Sequence, residues 1–190
     1  MSTVPEGCTP VWDGGALPLG AQVGENTRIN GSAAFRRFRG QAPDALIIGD
    51  NATMDWVQFS VGPEGRIRIG NYCCFTSAVL MCDLAISIGN WVLIGWNTVI
   101  ADSDFHPIAA AQRIVDAMAC SPAGGGMSRP EVQCVKVVID DDVWIGPNST
   151  IFKGVHIGKG ARIGPGSVAT CDVAAAARVS GNPAREVAAL

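Results

Sequence analysis

The sequence predicts an all-β solenoid, and three observations lead to this fold class. First, isoleucine recurs at every sixth residue in two runs: Ile88, Ile94, Ile100, and Ile139, Ile145, Ile151, Ile157, Ile163. Second, glycine directly follows most of these isoleucines. Third, 48% of the 190 residues are hydrophobic and only 16% are charged, with 23 glycines. A period of six fits neither a helix nor an ordinary hairpin sheet, and it is typical of strands wound from hexapeptide repeats.

Each repeat carries a second inward position, two residues before the isoleucine, because alternate residues of a strand face the same side. In the C-terminal run these positions hold small residues: Val143, Ser149, Val155, Ala161 and Ser167. The pattern predicts a narrow prism with one large and one small inward side chain per flat side. Three repeats then make a coil of about 18 residues. We expect Gly154, Gly160 and Gly166 at the corners, where a positive φ is least costly for glycine.

The residues just before the isoleucines are expected to point outward. Among them are Leu93, Val99 and Trp144. Exposed apolar side chains are unfavourable by about 25 cal/mol per Å². We therefore interpret this outward row as a subunit interface, a ligand groove at such an interface, or both.

The main repeat region is predicted for residues 45–173. In its first half Ile48, Met54, Ile69, Phe75 and Met81 keep the step of six. Residues 1–44 form an N-terminal segment, with a possible irregular first coil around Val23 and Ile29.

Two segments depart from the repeat. The stretch 101–134 lacks it altogether and is predicted to be an excursion loop, and long loops inside a regular domain are usually functional. Residues 174–190 are predicted to cap the open end of the solenoid. Within this cap, Pro183 to Ala189 are expected to form a short helix.

Composition argues against several classes of function. The net charge of −3 does not favour nucleic-acid binding. The run Arg36, Arg37 and Arg39 is interpreted instead as an edge segment or partner contact. With neither a signal segment nor an apolar stretch approaching about 20 residues, we expect a cytoplasmic protein that does not insert into membranes. Seven cysteines without a CxxC pair, and only two distant histidines, predict neither a disulfide framework nor a metal site.

His106 is the principal catalytic candidate. It follows a regular coil, lies in the excursion and precedes Pro107. An imidazole can take a proton from a hydroxyl or an amine at neutral pH. Asp104 or a backbone carbonyl is the candidate partner that orients the ring, whereas His156 is interpreted as a surface residue of a regular coil.

Three segments carry a family resemblance: Asp102-Ser103-Asp104-Phe105-His106-Pro107, Val143-Trp144-Ile145-Gly146 and Gly181-Asn182-Pro183-Ala184-Arg185. The chain resembles the hexapeptide-repeat acyltransferases, and most of all the sugar O-acetyltransferases of the galactoside and maltose type. The resemblance implies a left-handed parallel β-helix and a homotrimer with active sites between neighbouring subunits. It also implies acetyl-CoA as the acyl donor, a saccharide hydroxyl as the acceptor, and neither a metal nor a covalent intermediate.

The same resemblance assigns roles residue by residue. It makes His106 the general base and Asp83 an acceptor-binding carboxylate, with Trp144 beside the cleft. In the cofactor site it implies that Arg185 meets the phosphates of CoA. Pro165 and Thr170 fall on positions that line the cofactor.

Departures from the family pattern concern the acceptor and the cofactor. An asparagine expected near Phe75 is absent, and Ser77 or Thr76 is the candidate substitute in acceptor binding. A lysine that often follows the Thr170 position is Cys171, and a second C-terminal arginine is Ala188.

The sequence leaves other readings open. Alternatives within the fold are N-acetylation of an amino sugar and acetylation of an antibiotic or other xenobiotic. A remote alternative is a non-catalytic trimeric scaffold. A γ-type carbonic anhydrase would need three histidines on zinc, and this chain has two.

Overall fold

The computed structural model describes residues 11–12 and 14–188, and most of them wind into parallel coils. The strands before the excursion are β1 (Val11–Trp12), β2 (Ala21–Val23), β3 (Arg28–Asn30), β4 (Leu46–Ile48), β5 (Thr53–Asp55), β6 (Gln58–Val61), β7 (Arg66–Ile69), β8 (Cys74–Thr76), β9 (Val79–Cys82), β10 (Ala85–Ile88), β11 (Leu93–Ile94) and β12 (Val99–Ala101). The strands after it are β13 (Val137–Ile139), β14 (Trp144–Ile145), β15 (Thr150–Ile151), β16 (His156–Ile157), β17 (Arg162–Ile163), β18 (Val168–Ala169), β19 (Arg178–Ser180) and β20 (Arg185–Glu186).

Three sheets form the three faces of a left-handed parallel β-helix, as predicted. The nine-stranded face runs β1-β3-β5-β8-β11-β14-β17-β19-β20, the six-stranded face β16-β13-β10-β7-β4-β2, and the five-stranded face β18-β15-β12-β9-β6. Successive coils pair in register, so that Ile94 lies beside Ile145 and Ile145 beside Ile163. Equivalent side chains therefore stack in rows along the axis.

The predicted inward rows are confirmed. All eight repeated isoleucines are buried, and so are the five small residues of the second inward row, of which Ser167 precedes Ala169 rather than an isoleucine. The close approach of neighbouring coils also explains why glycine follows the inward isoleucines. A Cβ on Gly146 would lie 2.6 Å from the backbone nitrogen of Pro165 in the next coil, which leaves no room for a side chain.

The corners adopt the left-handed conformation that the pattern predicts. Gly154, Gly160 and Gly166 have φ values of 79°, 70° and 69°. Asparagine takes the equivalent position at other corners, as at Asn97 and Asn148, with φ near 59° and 58°. Glycine and asparagine tolerate this region best, so the corners can follow one another at short, regular intervals.

Parallel pairing begins before residue 45. Strand β2, which contains Val23, pairs with β4, and β3, which contains Ile29, pairs with β5. One residue of the expected inward row was wrong: Met81 faces outward, and its neighbours Leu80 and Cys82 are buried. Leu80, five positions after Phe75, takes the inward place, so the step at this corner is five residues and not six.

The C-terminal cap also differs from its prediction. Among the described residues 183–188, no helix forms, and β20 instead folds back antiparallel on β19. Gly181, with a φ of 101°, lies in the turn that reverses the chain. Backbone pairing by β20 thus covers the terminal strand edge, which is the purpose that the predicted helix would have served.

The excursion is not an irregular loop. It contains helix α1 (Ala110–Cys120) and a 3-10 turn (Pro122–Gly124). The six-residue periodicity gives no signal for this helix, because α1 is a single amphipathic element that is not repeated along the chain. Its position beside the end of β12 places it over the edge between the five-stranded and six-stranded faces.

Candidate active site

His106 lies in the first turn of the excursion, five residues after β12 ends. Its backbone N–H donates to the carbonyl of Asp104 at 2.7 Å, and Phe105 before it has a φ of 64°. This tight bend directs the imidazole into an open cleft of about 590 Å³. The side chain is 62% exposed, so the ring is accessible to a substrate.

Asp116 of helix α1 holds the imidazole from behind. Its carboxylate Oδ2 lies 2.5 Å from His106 Nδ1, and the Asp116 side chain is only 1% exposed. An ionised carboxylate can only accept, so Nδ1 carries the proton of the neutral ring. The lone pair of Nε2 is then left on the side that faces the cleft, which is the arrangement a general base requires.

Arg129 completes this arrangement. Its Nε donates to Asp116 Oδ1 at 2.6 Å, and its Nη2 donates to Oδ2 at 3.0 Å and to the Phe105 carbonyl at 2.8 Å. The guanidinium, and after it the hydrogen bond from His106, holds the pKa of Asp116 well below its usual range. Asp116 therefore stays ionised, although its side chain is buried.

The sequence did not identify Asp116 or Arg129. Its own candidate, Asp104, instead pairs with Lys153 at an O–N distance of 2.8 Å. A signal for Asp116 existed, because it is the single acidic residue within α1. Recognising it would have required predicting that helix first and then its direction of approach to His106.

Asp83 lines the same cleft as His106. The corner that presents it is built around the buried carboxylate of Asp102. That carboxylate accepts three backbone N–H groups, from Asp83 at 2.9 Å, Leu84 at 2.8 Å and Ala85 at 2.7 Å. Asp102 therefore positions Asp83 from within the solenoid and does not itself face the cleft.

Arg36, Arg37 and Arg39 line the opposite wall of this cleft. The sequence interpretation as an edge or partner segment did not place them beside His106. They approach it because residues 31–39 follow β3 at a corner and then run alongside β6, the edge strand of the five-stranded face, where Phe38 pairs with Val61. We call the space between this segment and His106 the His106 cleft.

Ser77 lies at the far end of a longer groove. A second cavity of about 440 Å³ is lined by Ser77, Trp56 and Asn97. A small intervening space shares Ala33 and Gln58 with that cavity, and it shares other lining residues with the His106 cleft. Ser77 and His106 therefore occupy opposite ends of one continuous groove and do not touch the same space within this chain.

The remaining predicted residues lie elsewhere on the surface. Trp144 points outward from β14 on the nine-stranded face and is 44% exposed. Pro165 lies at the corner between β17 and β18, near the edge that carries Ser77. Thr170 is exposed just after β18, on the same edge of the prism as Asp83 and His106. Arg185 is exposed in β20 at the end of the solenoid.

Cys82 also lines the cleft, but its side chain is buried. Burial, and after it the charge of Asp102, raises the pKa of Cys82 far above its ordinary value. The thiol therefore stays protonated at neutral pH. The cysteines of the described residues are all free, and no cluster of metal-ligating side chains occurs among these residues.

Two further observations concern the surface. His156 Nε2 lies 3.0 Å from Asp140 on a regular coil, far along the chain from the excursion. Nowhere in residues 11–12 and 14–188 is there a helix with the length and hydropathy needed to cross a membrane.

Comparisons with known proteins concern the repeat region and the fold. The family model described as bacterial transferase hexapeptide (six repeats) matches residues 136–170. The hexapeptide-repeat containing acetyltransferase VCA0836 from Vibrio cholerae is 32% identical in sequence, and the match covers 70% of this chain and 69% of that one with a TM-score of 0.55. The chain belongs to the hexapeptide-repeat acyltransferase family.

Two other proteins are similar to this chain over a short part of the sequence or in fold alone. A 2,3,4,5-tetrahydropyridine-2,6-dicarboxylate N-acetyltransferase of Staphylococcus aureus (strain JH9) is 49% identical over 51 residues, which make up 27% of this chain but only 21% of that protein. A variant of AntD, an N-acyltransferase from Bacillus cereus, was solved with dTDP-4-amino-4,6-dideoxyglucose and coenzyme A. It matches 88% of this chain and 82% of its own, with 21% identity and a TM-score of 0.65, so this likeness concerns the fold alone.

Proposed function

We propose that this member of the family is an acetyl-CoA-dependent O-acetyltransferase that acts on a hydroxyl of a saccharide, with His106 as the general base. One observation carries the proposal. His106 presents Nε2 to an open cleft, while Nδ1 is held by the buried Asp116–Arg129 pair. A surface histidine without a catalytic role has no need of a buried, ionised partner.

His106 acts first on the acceptor. Nε2 accepts the proton of the acceptor hydroxyl as its oxygen attacks the thioester carbon of the donor. The C–S bond then breaks, and the imidazolium returns its proton to the departing sulfur of CoA. Asp116 stabilises the imidazolium between these two steps, as the carboxylate does in other His–Asp pairs.

The other predicted residues are assigned to binding. Asp83 lines the cleft from which the acceptor would donate its hydroxyl groups. Arg185 is exposed, and its guanidinium has no carboxylate within 4.0 Å among the described residues, which fits a phosphate-binding role toward CoA. Thr170 shares an edge with His106, which suits a position along the same cofactor.

Residues of one predicted site occupy two regions of the prism. Asp83, His106 and Thr170 share one edge, whereas Trp144 faces outward from the nine-stranded sheet. A homotrimer would bring Trp144 of one subunit toward the His106 edge of its neighbour. The exposed apolar side chains Leu93 and Trp144, paired side by side on that sheet, favour such an interface.

The test is thiol release from acetyl-CoA with a panel of saccharides, amino sugars and hydroxylated antibiotics, for wild type and His106→Ala together. We expect acceptor-dependent release that falls about 10²- to 10⁴-fold in the variant. Full activity of His106→Ala would overturn the assignment of the base. Absence of CoA binding in equilibrium dialysis would overturn acetyl transfer itself and favour a scaffold.

N-acetylation is the second candidate. The two relatives above are N-acyltransferases by name, and one was solved with an amino sugar nucleotide. The same imidazole serves both reactions, because an amine must also lose a proton after attack. Brief treatment of the purified product with alkaline hydroxylamine distinguishes them, since an O-acetyl ester is cleaved and an N-acetyl amide is not.

A further inference from the structure

Three of the four arginines that line the His106 cleft form no ion pair with any described residue. Arg36, Arg37 and Arg39 are all exposed. No carboxylate of residues 11–12 and 14–188 lies within 4.0 Å of their guanidinium groups. The chain as a whole carries a net charge of −3, so three unpaired cations in one cleft are not a consequence of overall composition.

The segment that carries these arginines is held firmly in place. Phe35 stacks on Phe59 of the solenoid core with ring centroids 5.6 Å apart, and Phe38 contacts Phe35 edge-on at 5.8 Å. Backbone hydrogen bonds join Phe59 N–H to the Ala34 carbonyl and Arg39 N–H to the Val61 carbonyl, both at 2.8 Å. The alternation of Phe with Arg therefore anchors the segment on one side and presents cations on the other.

The charge of the cleft is consequently positive. Arg129 is neutralised by Asp116, and Asp83 offsets one of the three remaining arginines. Two positive charges are left uncompensated when His106 is neutral. Clustered guanidinium groups bind carboxylate and phosphate oxygens strongly, because their planar N–H donors match those oxygens in pairs.

We propose that the acceptor of this enzyme is anionic, and that Arg36, Arg37 and Arg39 bind its phosphate or carboxylate group beside His106. This inference rests on the proposed function and specifies its substrate class. The acidic group and the acetylated position occupy one cleft, so they lie close together in the substrate. The neutral groove that leads toward Trp56 and Ser77 receives the uncharged remainder.

Binding can be tested without turnover, by isothermal titration with matched probes. Glucose 1-phosphate and glucuronic acid represent the two oxyanions, and glucose is the neutral counterpart. We expect at least one charged probe to bind wild type about tenfold or more tightly than glucose, with affinity falling as salt is raised. Comparison of the two charged probes distinguishes a phosphate from a carboxylate substrate.

The arginines are then replaced one at a time by glutamine. Arg36→Gln, Arg37→Gln or Arg39→Gln should weaken the charged probe about tenfold and leave CoA affinity unchanged. Arg28→Gln is the matched control, because Arg28 is exposed on the preceding strand β3 and does not line the cleft. Thermal unfolding of each variant shows whether the protein stays folded. Lysine at the same positions keeps the positive charge, so tighter binding by Arg36→Lys, Arg37→Lys or Arg39→Lys than by the glutamine variants supports a role of charge.

Three results would overturn the proposal: equal affinity for charged and neutral probes, no binding of either charged probe, or a loss of CoA affinity in the arginine variants. The last would assign these arginines to the phosphates of the donor. His106→Ala separates this inference from the proposed function. If the charged probe still binds His106→Ala but wild type transfers acetyl to no acceptor, the anion site stands and the acetyltransferase assignment fails.

Discussion

His106 and Asp116 are ten residues apart in sequence, and their side chains meet through an Nδ1–Oδ2 contact of 2.5 Å. The contact joins an exposed ring to a buried carboxylate, across the turn between β12 and α1. It therefore makes the excursion part of the candidate site and places α1 directly behind the proposed general base. The helix supplies the orientation that a short loop from the coil could not.

The first prediction concerns this contact. Asp116→Asn should lower kcat about 100-fold or more, because the amide cannot accept from both Arg129 and His106 as the carboxylate does. The KM for the acceptor should change less than kcat. Asp104→Asn is the matched control: Asp104 is nearer to His106 in sequence but pairs with Lys153, so kcat should stay within about threefold. Equal losses in both variants would contradict the assignment.

The second prediction concerns acid stability. Interaction with Arg129, and then with His106, lowers the pKa of Asp116 below its ordinary value of 3.8. The stabilisation is therefore present above pH 3.8 and is lost as the pH falls below it. Arg129→Gln removes the largest cause, so this variant should be less stable than wild type at pH 5 and show a shallower loss between pH 4 and pH 2. Urea unfolding between pH 5 and pH 2 gives the pH dependence of the free energy of unfolding for both proteins. The same pH dependence in wild type and variant would refute the linkage.

The third prediction concerns Asp102. Asp102→Asn should cost about 3 kcal/mol in the free energy of unfolding, because a buried acceptor of three backbone N–H groups then presents an NH₂ group to them. Asp50→Asn is the control, since the exposed Asp50 carboxylate accepts one N–H, from Glu25, and should cost less than about 1 kcal/mol. Urea midpoints at constant m-value give both numbers. A small effect at Asp102 would show that the Asp83 corner holds its shape without it.

The fourth prediction concerns thiol reactivity. Burial raises the pKa of Cys82, so maleimide at pH 7.5 should leave it unmodified in the native protein. Among the described cysteines, Cys74, Cys120 and Cys171 are exposed and should react first. Mass spectrometry of peptides after brief labelling reads out each site. Rapid labelling of Cys82 would mean that its corner opens in solution, which the tight hydrogen bonding of Asp102 argues against.

The solenoid and its inward rows could be predicted from the sequence because the repeat is local. Each six-residue unit encodes one strand with an inward residue and one corner, as at Ile145 and Gly146. Because the units are alike, stacking them fixes the register between neighbouring strands. Met81 was misplaced where that assumption failed, at a corner one residue shorter than the repeat. The cap was misjudged because an antiparallel return from Gly181 carries no periodic signal.

His106, the proposed general base, was also singled out from the sequence, since it stands where the repeat ends and matches the family pattern. Its partners were not. Asp116 reaches His106 only through the packing of α1, and Arg129 only through the return of the chain after that helix. The arginines of residues 36–39 belong to a coil far from His106 in sequence. They join its cleft because their segment pairs with β6, which lies beside β9.

The sequence by itself therefore determined the solenoid, the family and the identity of the candidate base, because these depend on short-range periodicity and on local motifs. The tertiary structure alone decided what surrounds that base: a buried Asp–Arg pair behind it and three unpaired arginines in front of it. Their chemistry depends on distances between side chains that are separated by tens of residues. Only the stacking of coils and the packing of the helix set those distances.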